Sequence, residues 1–575
     1  MDRDEAKRSD TLRSTISSAQ PQRALKPLTE APTDTSETRD PPKTVRGILR
    51  ELGPGLIIAG SIVGSGELIA TTAVGAEAGF TLLWLIIIGC VIKVFAQIEF
   101  GRYTIVNGRT TMDGLNEVPG PRRRIHSIFG WVPGSRARVD RSETSRQMEG
   151  NWIIWCWLVF MVVALAQLGG IIGGVGQALA IQQPLTEQGR TVNDYHDNKI
   201  RVQVLGRLIA RLEADPGTAD RVAQLAAERE VAERIVTKIE ARTEDDREPR
   251  SDDALIWATI ITLGSIVLLV IGRYGLIQTV STALVAGFTF LTVGNLIHLQ
   301  RLPDWRVGWD DLILGLSFTL PSGNQGITTA LAAFGIIGVG ATELIQYPYW
   351  CMEKGYARWT GPRDDSEQWA QRAKGWLRVL RWDAWVSMVI YTFATVAFYL
   401  LGAAILGRTG LNPSGAEMVR TLSEMYVPVF GEWSQPVFLV GAFAILYSTF
   451  FIGTASHARV CADAMRVFGL SAGGEKAYRR WTTVFCIVFP LLFLATFAFF
   501  QAPKQLVLAG GFMGSMMFPL LGIAALHFRY SRSDDRLKPG KLWDFCLWIS
   551  FAGFLIVGGW GLYAKVILSF IGSEG

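Results

Sequence analysis

The sequence predicts an all-α polytopic membrane protein whose two halves repeat each other with inverted topology. Three observations predict it. Apolar residues make up 49% of the 575 positions and charged residues only 19%, whereas soluble chains carry about 25% charge. The apolar residues fall into eleven blocks of about 20, each long enough to cross a hydrocarbon core. A Gly-x-x-Glu-Leu-Ile frame occurs once in each half, at Gly64 to Ile69 and at Gly340 to Ile345.

This composition excludes a soluble enzyme, a disordered scaffold and a disulfide-rich secreted domain. No enzymatic reaction is expected. The net charge of +5 gives no case for a nucleic-acid partner. The six cysteines lie in or beside apolar blocks without CxxC or Cys/His spacing, so they read as small buried hydrophobes. No GxxxxGK[ST] loop is present, and transport would not be driven by ATP on this chain.

Residues 1–50 are polar, basic and rich in Pro, Ser and Thr, the composition of a disordered tail. Three spans are expected within 51–181, at about 53–76, 80–103 and 151–181. Eight more are expected within 253–575, at about 254–272, 275–297, 327–352, 383–406, 435–464, 482–501, 504–528 and 543–568. Between the two groups, residues 182–252 mix acids and bases with apolar residues at helical spacing (Val204, Leu205, Leu208, Ile209, Leu212). They read as a helical extracytoplasmic insertion, a decoration or a contact for a partner rather than part of a transport site.

Orientation follows from the short connections. A cytoplasmic N-terminus places Arg122, Arg123, Arg124, Arg358, Arg363, Arg372, Lys374, Arg479, Arg480, Arg532, Arg536 and Lys538 inside. The opposite connections hold few basic residues, among them Arg301, Arg306, Arg408 and Lys504. A multi-pass protein of the cell (inner) membrane, in contact with lipid, is the expectation.

The two frames carry the candidate chemistry. Glu67 lies some fourteen residues into its span, roughly 21 Å at 1.5 Å per residue, near the middle of a core about 30 Å thick. A charge there costs about 2.5 to 3.5 kcal/mol on insertion scales. Glycines on the N-terminal side of Glu67 and Glu343 weaken the helix, and unwound backbone at membrane depth is tolerated only around a protein-lined cavity. Five spans separate the two copies, the odd offset of an inverted repeat, and paired broken helices point to a transporter binding site.

Around these frames the chain resembles the Nramp family of divalent-metal transporters. The resemblance rests on Gly53-Pro54-Gly55, on Ala78-Gly79-Phe80-Thr81-Leu82-Leu83-Trp84, and on Gln97, Arg102 and Ile105-Val106-Asn107-Gly108-Arg109. It also rests on Gly340-Ala341-Thr342 and Phe518-Pro519-Leu520-Leu521. The resemblance implies a LeuT-type 5+5 inverted repeat with broken helices 1 and 6 and an eleventh transmembrane helix. It also implies secondary transport of a divalent metal cation by alternating access, as a symport with protons in the family. The departures fall on the family's ligands: in its first-helix Asp-Pro-Gly-Asn, Gly64 stands for the Asp, Ser65 for the Pro and Glu67 for the Asn. In its sixth-helix Ala-x-x-Met, Gly340 and Glu343 stand at the two ligand positions. The family's nearby sixth-helix histidine is lost at Ile345-Gln346, and Phe512 replaces the tenth-helix Gln.

The expected metal site is therefore Glu67 and Glu343, with Gly64, Ser65, Gly340, Ala341 and Thr342 supplying carbonyls or hydroxyls. Two carboxylates without a thioether suit hard dications such as Mg²⁺, Mn²⁺ or Ca²⁺, and the resemblance adds Fe²⁺. The metal is cargo, and no resident cofactor is expected. Lys93, Gln97, Arg102 and Gln346 are the candidates for coupling or gating. Lys93 either pairs with one of the glutamates or acts as an internal cation. Because the family's proton-coupling residues are partly absent, proton symport by that route is not implied by the residues present. An alternative is a LeuT-fold transporter of a small organic substrate such as an amino acid or amine, and a third reading is a non-transporting sensor or assembly factor.

Overall fold

A computed structural model describes residues 37–126, 147–213, 219–242, 249–271, 274–321, 330, 334–335, 337–431, 433–471 and 474–563. The expected tail over 1–36, much of the first part of the sixth span and the end of the eleventh lie outside the described residues. The expectation of a disordered tail fails for its last stretch. Residues Val45–Glu51 form helix α1, capped by the Thr44 side chain on the Gly47 N–H. Ile48 and Leu52 are buried, and the Trp376 indole donates to the Arg39 carbonyl at 2.9 Å. Two buried apolar residues, a cap and contacts from Trp376 and Tyr356 dock a segment whose overall composition reads as disordered.

The chain then enters α2 (Pro54–Ile62), breaks, passes through a π-helical turn at Gly66–Thr71 and continues as α3 (Thr72–Ala78). Helix α4 (Leu83–Asn107) follows. A two-stranded antiparallel ribbon, β1 (Arg122–His126) and β2 (Gln147–Asn151), leads to α5 (Trp152–Gln182). Helices α6 (Glu187–Leu212) and α7 (Ala219–Glu240) pack against each other as a hairpin. Next come α8 (Asp253–Ile271), α9 (Tyr274–Leu299), α10 (Ala341–Lys354) and α11 (Glu367–Leu401). The short α12 (Met418–Ser423) precedes α13 (Ser434–Val467), α14 (Glu475–Phe500), α15 (Pro503–Ser531) and α16 (Lys541–Leu562).

Among the described residues, nine helical stretches are long and apolar enough to span a bilayer. Helix α9 and the broken sixth span complete the expected series. The stretches divide by burial. Pro54–Ala78 is almost wholly buried, while α8, α14 and α16 are mostly exposed along their apolar faces. Exposed apolar helices around a buried, partly polar one are what a bilayer solvent requires. The broken first span itself packs on α9, α10, α11, α13 and α15, so it is enclosed by other helices.

Candidate functional site

The first break starts where α2 ends. Val63 leaves helical geometry, and the freed Ser61 carbonyl accepts from the Thr449 hydroxyl on α13 at 3.2 Å. That approach explains Gly64: a Cβ there would stand 1.9 Å from Thr449 Oγ1 and 2.9 Å from the Ser61 carbonyl oxygen. The chain resumes as a π turn, in which Thr71 and Thr72 donate their hydroxyls to the carbonyls of Gly66 and Glu67. Wide turns of this kind leave carbonyls available and recur at functional sites. Glu67 sits in this turn with none of its surface exposed. Its carboxylate accepts from the Gly64 N–H at 3.3 Å and from the Thr395 hydroxyl of α11 at 3.1 Å.

Gly338 belongs to the second break. It has φ +63°, a backbone conformation open to glycine at little cost, and a Cβ there would press on Cys90 Sγ and Tyr391. Helix α10 begins after Gly340, and Glu343 lies in its first turn. A carboxylate there is favoured by the unpaired amides and dipole of the helix N-terminus. The Thr342 hydroxyl donates to Glu343 at 2.7 Å. Unlike Glu67, Glu343 and Thr342 are partly exposed although Ala341 and Leu344 beside them are buried. Helix α11 joins the two breaks, since Thr395 donates to Glu67 and Tyr391, one turn earlier, lies against Gly338.

Lys93 approaches from α4 and is completely buried. Its ammonium donates to the Phe334 carbonyl and, at 2.6 Å, to the Ile337 carbonyl. Its partners are backbone carbonyls where the sixth span breaks, while Glu67 and Glu343 act on it only as more distant charges. Of the alternatives left open by the sequence, direct hydrogen-bonded pairing with either glutamate is not what the geometry displays.

The remaining residues divide. Ser65 and Ala341 are buried within the two breaks. Gln97, one turn on from Lys93, is buried with neither amide atom bonded to protein. Gln346 lies 3.3 Å from His457 Nδ1 of α13. Arg102 is not brought to this group: it bonds Glu99 and the Leu537 carbonyl at the far end of α4. Among the described residues no cluster of three or more His, Cys, Asp or Glu offers a metal cage, so a cation here would draw on two carboxylates and on backbone or hydroxyl oxygens.

Sequence reasoning passed over Thr395 and Gly338, which hold the breaks in shape; Thr449, which from the sequence could hydrogen-bond a substrate or simply pack, bonds the Ser61 carbonyl. It also passed over Asp383 of α11. That carboxylate accepts from the Gly53 and Gly55 amides at 2.9 and 2.5 Å and from the Tyr347 hydroxyl at 3.0 Å, tying the start of α2 to α10 and α11. An acid at the edge of an apolar block was the available signal.

The family model described as natural resistance-associated macrophage protein-like, Nramp, matches residues 251–564, more than half of the chain. The chain belongs to the Nramp family. It is therefore a multi-pass integral membrane protein from a family of divalent-metal transporters. The fold agrees. A histidine-to-alanine variant of the Eremococcus coleocola manganese transporter superposes with a TM-score of 0.54 at 13% identity, covering 96% of this chain and 92% of that one. The same transporter in complex with an aromatic bis-isothiourea substituted compound gives 0.52 at 14% identity, covering 92% and 89%. At such identities the likeness establishes the LeuT-type arrangement and no ligand set. No curated protein matches this Nramp chain in sequence.

Proposed function

We propose that this Nramp chain moves a divalent cation across the cell membrane by alternating access, with the cation held between Glu67 and Glu343. The observation that carries this reading is the meeting of two broken spans, each with a glutamate at its break, on α11, where Thr395 donates to Glu67 and Tyr391 lies against Gly338 of the other span. Two anionic oxygens and the freed carbonyls form a hard donor set that suits Mg²⁺, Mn²⁺, Ca²⁺ or Fe²⁺ over thiophilic ions. The basic residues that set orientation support a cytoplasmic N-terminus: Arg363 pairs with Asp534, and Arg536 donates to the carbonyls of Ser366 and Asp364 on one face of the molecule. Lipid surrounds the exposed apolar faces of α8, α14 and α16.

Purified protein in liposomes tests the site. Saturable Mn²⁺ or Mg²⁺ influx is expected, and Glu67→Gln and Glu343→Gln are each expected to lower it at least about tenfold, roughly 1.4 kcal/mol of lost stabilisation. Influx unchanged in both variants removes the two-carboxylate site. A parallel record of internal pH decides whether protons accompany the metal.

A further inference from the structure

We infer that the break in the sixth span is a monovalent-cation site, and that its occupant is the chain's own Lys93 ammonium. Four groups define it. The carbonyls of Phe334 and Ile337 accept from Lys93 Nζ, and Nζ lies 4.3 Å from the centroid of the Phe334 ring and 4.7 Å from that of Phe518 on α15. The two rings meet edge to face at 5.8 Å. Helix α10 starts only after Gly340, so no continuous helix supplies amides to those carbonyls. Unpaired carbonyls at membrane depth are costly, and an ammonium with three donors and no acceptor answers them. Ring faces attract the same charge, more strongly when it is desolvated.

This arrangement is a carbonyl and aromatic cage built for an alkylammonium-sized cation, and a tethered side chain fills it. Lys93 is thereby a positioning residue: it holds the carbonyls that lead into the break at Gly338. With the cage filled from within, the break needs no dissolved cation, and metal uptake is independent of whether sodium, potassium or a large organic cation is the bulk ion. The transport readout rests on the two-carboxylate reading, but the cage itself does not.

The test uses the full chain in liposomes. Lys93→Ala removes the atoms equivalent to n-propylammonium and leaves the cage open. Expected results are Mn²⁺ uptake lowered about tenfold or more, restored several-fold by millimolar n-propylammonium and less by methylammonium. The melting temperature of the variant, unlike that of the parent protein, should rise with the same additive. The melting measurement separates the two ideas, since rescue of stability with no metal uptake in any variant supports the cage while removing the carboxylate site. Should Lys93→Ala fold only when n-propylammonium is present, the cage is supported. Failure of every alkylammonium to restore folding, stability or uptake overturns it. So does wild-type uptake by Lys93→Met, which keeps the stem and loses the charge.

Discussion

Asp383 offers a sharp test of how the first broken span is held. Its Oδ1 accepts from the Gly53 amide, and its Oδ2 accepts from the Gly55 amide and the Tyr347 hydroxyl. Asp383→Asn keeps the volume but turns one acceptor into a donor. In the less damaging orientation the amide oxygen keeps Gly55 and Tyr347, while the new NH₂ faces the Gly53 N–H. Leaving a buried donor unsatisfied costs about 1 to 3 kcal/mol, and removing an anion from the first turn of α2 adds about 0.3 to 1 kcal/mol. A local destabilisation of about 2 to 3 kcal/mol corresponds to amide exchange about 30- to 150-fold faster in peptides covering 53–62. Hydrogen–deuterium exchange on the protein in nanodiscs reads this directly. Exchange within about twofold of the parent refutes the anchor, and so does an equal rise in peptides from α16, which Asp383 does not touch.

Gly64→Ala puts a methyl group 1.9 Å from Thr449 Oγ1. It should abolish Mn²⁺ uptake, with partial recovery when combined with Thr449→Ala; full activity of the single variant would contradict the close approach of α13. Asp197→Ala leaves Arg420, which is 2% exposed, to the Asn193 carbonyl and side chain alone. With Asp197 itself nearly half exposed, a loss of about 1 kcal/mol is expected, read as a lower melting temperature with the hairpin still helical by circular dichroism. Arg536, hydrogen-bonded to Asp534, holds that carboxyl down to about 2. Its folded value lies below its unfolded one, so the stabilisation is present above the ordinary aspartate range and fades as pH falls from about 4 toward 2, at most about 2 kcal/mol. Asp534→Asn should flatten that part of the acid melting curve; an identical curve would refute the assignment.

The membrane plan was legible because hydropathy over about 20 residues is a local quantity, and Pro54–Ala78 to Lys541–Leu562 follow the blocks in order. The glutamates were legible for a related reason: an acid amid apolar residues and beside glycine stands out in one dimension. What holds them was not. The partners of Lys93 lie 241 and 244 positions away, and they are carbonyls, which every residue owns and no side-chain pattern marks. Thr395 and Thr449 look like ordinary span residues until α11 and α13 bring them to the breaks. Arg102 entered as a coupling candidate through the family resemblance, yet it bonds Glu99 and the Leu537 carbonyl. The docked stretch from Arg39 to Leu52 hid inside a polar composition because two buried apolar residues, Ile48 and Leu52, weigh little in an average.

The unequal exposure of the two acids has a kinetic consequence. On the proposed two-carboxylate site an ion would meet Glu343, the less buried of the two residues, while still carrying most of its water, and Glu67 would join only after the ion had shed molecules on its inner side. Selection between dications then depends on how readily each surrenders its hydration, as much as on how tightly each is finally gripped. Magnesium parts with water reluctantly and calcium more readily, so at equal affinity the smaller ion would queue at the threshold.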